Sequence, residues 1–183
     1  MSMFGTPLPE RLGLPMGHVG IGDCAFAAKP MLFVTVLGSC VSVTFHHPGR
    51  QAGGMFHAML PDRNMARGRQ RVCTFADAAV AAMLERFAAR GMPARELTVK
   101  IFGGSNTMQT AHPAALREML DVGRKNVDAA LAALAARGLV PAASDVQGAY
   151  GRKIYFATAT GEVWLSYMDS AETRRVQAEQ RPE

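Results

Sequence analysis

Between Met31 and Phe45 the chain reads MLFVTVLGSCVSVTF, fifteen residues without a charge. So apolar a run has to be buried, and its length limits how. A helix that spans a bilayer needs about 20 apolar residues, which this run does not reach. It is also rich in Val, Thr and Ser, which suit a strand better than a membrane helix, since the β-branched Val and Thr lose rotamer freedom against a helical turn. Gly38 and Ser39 divide it into two strand segments, LFVTVLGS and VSVTFHH. The Pro48-Gly49 pair signals a turn, after which AGGMFHAML resumes as a third strand. Upstream, HVGIGDCAFA, beginning at His18, reads as another.

The hydrophobic period then changes. TFADAAVAAMLERFAARG places Ala79, Val80, Met83, Leu84 and Phe87 on one helical stripe, with Thr74 the expected N-cap and Gly91 the stop. ELTVKIFGG returns to a buried strand that ends in paired glycines. GRKNVDAALAALAARG gives a second helix, with Val127, Leu131 and Leu134 expected inward and Gly138 at its end. LVPAASDVQG, RKIYFATA and EVWLSYM are the closing strands. Since the early strands follow one another, the expected fold class is a single-domain α/β arrangement. Its mixed, largely antiparallel sheet layers pack with two main helices, unlike a doubly wound nucleotide-binding sheet. Residues 1–17, with three prolines, are expected as a flexible tail, 18–168 as the domain, and 169–183 as a charged tail or short helix.

At 183 residues, 49% hydrophobic and 19% charged, the chain can bury one substantial core. Its net charge of +5 is scattered except in RNMARGRQR, Arg63 to Arg71, where four arginines fall in nine positions. That stretch reads as a solvated loop or a contact for an acidic partner; aromatic interleaving of the kind that binds nucleic acid is missing. The N-terminus lacks a basic segment followed by an apolar one, so no signal peptide is expected. Cys24, Cys40 and Cys73 form an odd set without CxxC spacing. This argues against a disulfide framework or a structural zinc site, and for a reducing cytoplasm. Cys24 and Cys73 are expected to be inert, and His46 and His47, beside the Pro-Gly turn, to face solvent.

Cys40 and His57 lie seventeen positions apart, each in an apolar run introduced by glycine. Spacing alone leaves them as core residues, metal ligands, or a nucleophile and its base. In the last case the imidazole takes the thiol proton and later hands it to a leaving amine. Gly38 permits a tight turn whose N–H groups at Ser39 and Cys40 would face an oxyanion. Gly53 and Gly54 permit close approach of a strand or a substrate. The Thr35 hydroxyl would orient the imidazole, so that three adjacent strands supply the trio. Gly103 and Gly104 let the backbone pass close by, with Ser105 and Asn106 bordering a cleft. KIFGGSNTM lacks the Gly-Lys-Ser/Thr ending of a phosphate loop, and no four-ligand zinc set can be assembled.

Taken together and in order, LGSCVSV, GGMFHAMLP, FADAAVAAML, KIFGGSNTM, VGRKNVDAALAALAARGL and GRKIYFATATGEV resemble the CheD family, the chemoreceptor glutamine deamidases of bacterial chemotaxis. The resemblance runs from about His18 to Tyr167. It implies papain-like cysteine hydrolase chemistry on a different fold, similar to the catalytic domain of the cytotoxic necrotizing toxins. The family's catalytic cysteine falls on Cys40, its histidine on His57 and its threonine on Thr35. Substrate-binding or oxyanion roles are expected for Gly38, Ser39, Gly54, Gly104 and Ser105. The implied substrate is a glutamine on the cytoplasmic helices of a chemoreceptor, with no metal or cofactor and with a CheC-type phosphatase as a further partner. Two other readings remain: an adaptor that binds receptors and such a phosphatase with little catalysis, and a cysteine hydrolase of receptor methyl esters.

Overall fold

The computed structural model describes residues 9–65, 71–106 and 121–179. In chain order its strands are β1 (Met16–His18), β2 (Cys24–Ala27), β3 (Leu32–Leu37), β4 (Val41–His47), β5 (Ala52–Phe56), β6 (Thr98–Gly103), β7 (Ala143–Val146), β8 (Gly151–Ala157) and β9 (Val163–Met168). Its helices are α1 (Ala76–Ala88), α2 (Val122–Ala135) and α3 (Ser170–Glu179). The strands form two sheets, in the orders β1-β3-β8-β9 and β2-β5-β4-β6-β7. Only β1–β3 and β6–β7 run parallel. The mixed, largely antiparallel layers expected from the sequence are therefore present.

Alternation along each strand sorts the side chains between layers. On one face of the five-stranded sheet, Val41, Val43, Phe45 and Phe56 meet Val80, Met83 and Phe87 of α1 and Val127 and Leu134 of α2. On the other face, Cys40 and Met55 meet Phe33 and Leu37 of β3 and Ile154 and Phe156 of β8. The result is helix, sheet and sheet in three layers. Each large side chain buried in it is worth about 1.5–3 kcal/mol of transfer free energy.

β3 and β4 are separated by Gly38, Ser39 and Cys40 alone, yet they belong to different sheets. The chain crosses between layers at the candidate nucleophile. Thr35 therefore does not lie on a strand adjacent to those of Cys40 and His57, as the sequence suggested; it comes from the opposing sheet.

Other expectations are corrected by packing. Thr74 belongs to a 3-10 turn, and Phe75 takes the cap position of α1 without a side-chain bond. The helix does not need one, because the N–H groups of Ala76 and Asp77 donate to Leu60 and Pro61 carbonyls. On α2 the inward stripe runs through Gly123, Asn126, Val127, Ala130 and Leu134, leaving Leu131 exposed. His46 and His47 are buried. One bonds the Ala159 carbonyl and the other the Glu96 carboxylate, each at 3.1 Å, so the strand end is covered by neighbouring loops.

Cys24 and Cys73 are joined as a disulfide with Cα atoms 5.9 Å apart, contrary to their expected roles as separate inert residues. An odd cysteine count cannot exclude one bridge and one cysteine outside it, and Cys40 is the cysteine outside the bridge. β1 and α3 fall in stretches read from sequence as tails; the first pairs with β3 and the second packs on β3 and β8. Of the arginine-rich stretch, Arg67 and Arg69 lie outside the described residues. Arg71 bonds the Asp23 carboxylate and the Ile21 carbonyl.

Candidate active site

The register of β4 and β5 decides whether Cys40 and His57 share a face. Thr44 stands opposite Met55, and the antiparallel pairing continues to an isolated bridge between Val41 and Ala58. Ser42 thus stands opposite His57, and Cys40 opposite Met59. Cys40 and His57 are diagonal neighbours on the face that meets the second sheet, a spacing across which side chains reach one another. Cys40 is 4% exposed and His57 fully buried.

Thr35 points into the same layer from β3. Its hydroxyl donates to the Val19 carbonyl at 2.7 Å, and the His57 Nδ1 lies 2.9 Å from the Thr35 Oγ1. A hydroxyl has one proton to give, and here it goes to Val19, so Thr35 can only accept from the ring. The proton of the neutral imidazole is accordingly on Nδ1, and Nε2 carries a bare lone pair. Nε2 is buried and has no hydrogen-bond partner among the described residues. Burial lowers the pKa of His57 from 6.5 to about 4, against smaller opposing contributions from the Val19 carbonyl and Asp23. The ring is a neutral base at physiological pH.

The loop before β2 fixes the backbone of this histidine. Gly22 N–H donates to the His57 carbonyl at 2.7 Å, and His57 N–H to the Asp23 carbonyl at 3.0 Å. The disulfide at Cys24 ties the loop's far end to the turn preceding α1.

Three consecutive carbonyls of the Gly38–Cys40 crossover are held from within. Gly38 O accepts from Ser105 N–H at 2.8 Å, Ser39 O from Asn126 Nδ2 at 2.9 Å, and Cys40 O from Gly104 N–H at 2.7 Å. In a trans peptide the N–H lies opposite the C=O. With Gly38 O and Ser39 O drawn inward, the N–H groups of Ser39 and Cys40 project to the other side. A cleft of about 330 Å³ opens there, lined by Ile21, Ser39, Cys40 and Met59, and by Arg174, Gln177 and Ala178 of α3.

The structure brings Thr35, Gly38, Ser39, Cys40 and His57 together. Gly104 and Ser105 adjoin them as supports, since their N–H groups are committed to the crossover. Gly104 has φ +67°, and a side chain there would strike Val127 and the Gly123 carbonyl. Gly54 is on the opposite face of β5, beneath Met83 and Phe87 of α1, and does not reach the cleft. The other glycine of that pair, Gly53, lies against Thr158 and Phe156 of the second sheet.

Asn126 was missed in the sequence. Fully buried on α2, it donates to both the Ser39 and the Met59 carbonyls at 2.9 Å, bracing the turn at Cys40 against the segment after His57. The available signal was a carboxamide on an otherwise apolar inward stripe. A second hollow of about 440 Å³, bounded by Ser144, Asp145, Gln147, Tyr150, Arg152 and Tyr167, is lined by neither a cysteine nor a histidine. Among the described residues there is no cluster of three or more His, Cys, Asp or Glu suited to a metal ion, and no helix long and apolar enough to cross a membrane.

Comparison with known proteins places the chain in a family. The family model for CheD, described as chemotactic sensory transduction, matches residues 59–167. A protein of Nitratidesulfovibrio vulgaris named "Probable chemoreceptor glutamine deamidase CheD" is 46% identical over 93% of this chain and 87% of its own length. One of the same name from Oleidesulfovibrio alaskensis is 42% identical, covering 93% and 82%. "Probable chemoreceptor glutamine deamidase CheD 2" of Geobacter sulfurreducens is also 42% identical, covering 87% and 94%. The family match and these relatives establish that the chain belongs to the CheD family.

Proposed function

We propose that this chain is a protein-glutamine deamidase that converts glutamine side chains on chemoreceptor helices to glutamate, using Cys40, His57 and Thr35. The observation that carries this reading is the buried imidazole, with Nδ1 bonded and Nε2 without a described partner, on the same sheet face as Cys40, the cysteine outside the disulfide. Membership of a family whose relatives bear the deamidase name supplies the substrate class.

In this reading the thiol proton passes to His57 Nε2 as the sulfur attacks the substrate carboxamide carbon. Because burial holds the imidazole pKa near 4, the resting pair is thiol and neutral ring, and proton transfer accompanies attack. The Ser39 and Cys40 N–H groups bind the developing oxyanion, a contribution of the size that elsewhere amounts to about 3 kcal/mol per donor. His57 then protonates the departing ammonia. A water that loses its proton to the same nitrogen attacks the thioester, leaving glutamate and the free thiol. Thr35 keeps the ring in the tautomer that exposes Nε2. The scheme uses no metal or cofactor.

The same proposal places the enzyme in the cytoplasm, where receptor methylation helices lie, and has a CheC-type phosphatase compete with them at the Cys40 cleft. The test is mass spectrometry of a receptor cytoplasmic fragment after incubation with wild type or Cys40→Ala. Wild type is expected to convert specific glutamines to glutamate, the variant none. Conversion by the variant at the wild-type rate refutes the nucleophile, and receptor binding without conversion by wild type replaces the enzyme with an adaptor.

A further inference from the structure

One wall of the Cys40 cleft is a helix that carries a glutamine. Asp169 caps α3 by accepting from the N–H groups of Ala171 and Glu172, each at 2.8 Å. Thr173, 2% exposed, fills the notch where Gly151 has no side chain. Gln177 is one turn further along the same face. Its Nε2 donates to the Val36 carbonyl at 3.3 Å, and its carboxamide lies against Gly38. A methyl group added to Gly38 would come within 3.2 Å of the Gln177 Oε1. The amide oxygen therefore lies on the crossover whose N–H groups face the cleft, and Gln177 shares that cleft with Ser39 and Cys40.

We propose that Gln177 is a modification site of the enzyme itself, an intramolecular substrate that Cys40 converts to glutamate. The proposal rests on the deamidase reading and adds to it a target within the same chain. Anchoring at Thr173 keeps α3 in place while the Gln177 side chain swings from Val36 into the cleft. Held so close, the amide reacts as a unimolecular partner and needs no affinity of its own. The Cys40 Sγ bonds to Cδ, and the Cδ–Nε2 bond breaks. His57 gives the proton it took from the thiol to the leaving nitrogen, which departs as ammonia. Water then adds to Cδ, giving a proton to His57, and the Cδ–Sγ bond breaks with return of that proton to sulfur. The balance is glutamine plus water to glutamate plus ammonia.

The product differs from the reactant where α3 is tied down. A carboxylate has no proton to donate to Val36 O, and the two oxygens repel. Conversion removes that tie and frees the mouth of the cleft for an external helix.

The experiment compares purified full-length wild type, Cys40→Ala and Cys40→Ser by tandem mass spectrometry of the tryptic peptide Val176–Glu183, whose fragment ions separate Gln177 from Gln180. The expected result is glutamate at 177 in wild type and glutamine in both variants. Its appearance with time should be first order, at a rate independent of protein concentration. Glutamine retained at 177 in wild type, conversion in the variants at the wild-type rate, or a rate proportional to concentration overturns the proposal. A receptor cytoplasmic fragment is assayed in parallel with the same preparations. Conversion of the fragment beside an unconverted Gln177 refutes self-modification and leaves the deamidase reading intact; conversion of neither refutes both.

Discussion

Replacing His57 with Gln measures how the imidazole is held. In the folded chain burial keeps its pKa at about 4, against 6.5 for an unhindered ring. Between those values the unfolded chain binds a proton that the folded chain does not. Stability from the buried neutral ring is thus fully present above the unfolded value and is lost as pH falls toward the folded one. At about 1.4 kcal/mol per pH unit, the gap is worth about 3 kcal/mol. The assay is urea unfolding of wild type and His57→Gln at a series of pH values across this interval. Wild type is expected to lose about 3 kcal/mol more than the variant, with unchanged dependence on urea. His46, whose pKa burial also lowers, is present in both proteins and cancels. An offset from imperfect packing of Gln cancels too, since slopes are compared. Parallel curves would refute the reasoning: the ring would then be protonated in the fold, as in an ion pair with the Cys40 thiolate.

Asn126→Ala leaves the Ser39 and Met59 carbonyls without their donor in a buried place. It is expected to cost about 2–4 kcal/mol in urea unfolding and to slow Cys40-dependent turnover even where the protein remains folded, with Asn126→Asp failing likewise. Cys24→Ser opens a bridge across 49 residues, expected to cost about 2–4 kcal/mol. The difference from wild type in melting temperature should vanish when both are measured with a thiol reductant.

Local signals in the sequence were sufficient for most elements. The uncharged run gave β3 and β4, and the stripe from Ala79 to Phe87 gave the buried face of α1. Which strands pair was another matter. Gly38 to Cys40 is short enough for a hairpin, and local pattern does not reveal that these residues pass between two sheets. For the same reason Thr35 and His57 could be placed together by resemblance, while their opposing-sheet origin could not. Leu131 and Ala130 are neighbours about 100° apart around α2, and only Ala130 is turned into the core. Gly54 looked like a residue for substrate approach, and the need it serves is helix packing. Asn126 and the Cys24–Cys73 bridge depend on contacts between residues far apart in the chain, which periodicity does not encode.

Thr35 is fixed to one sheet, and Cys40 and His57 are fixed to the other. Turnover therefore reports on the alignment of two sheets, not only on three side chains. In a compact state that kept its strands but lost fixed packing between them, far-ultraviolet circular dichroism would change little. The Thr35–His57 bond, at 2.9 Å, has no such tolerance: a slip of about an ångström between the sheets breaks its geometry. On gentle heating, activity should disappear before secondary structure does, making catalysis an early sensor of melting between the layers.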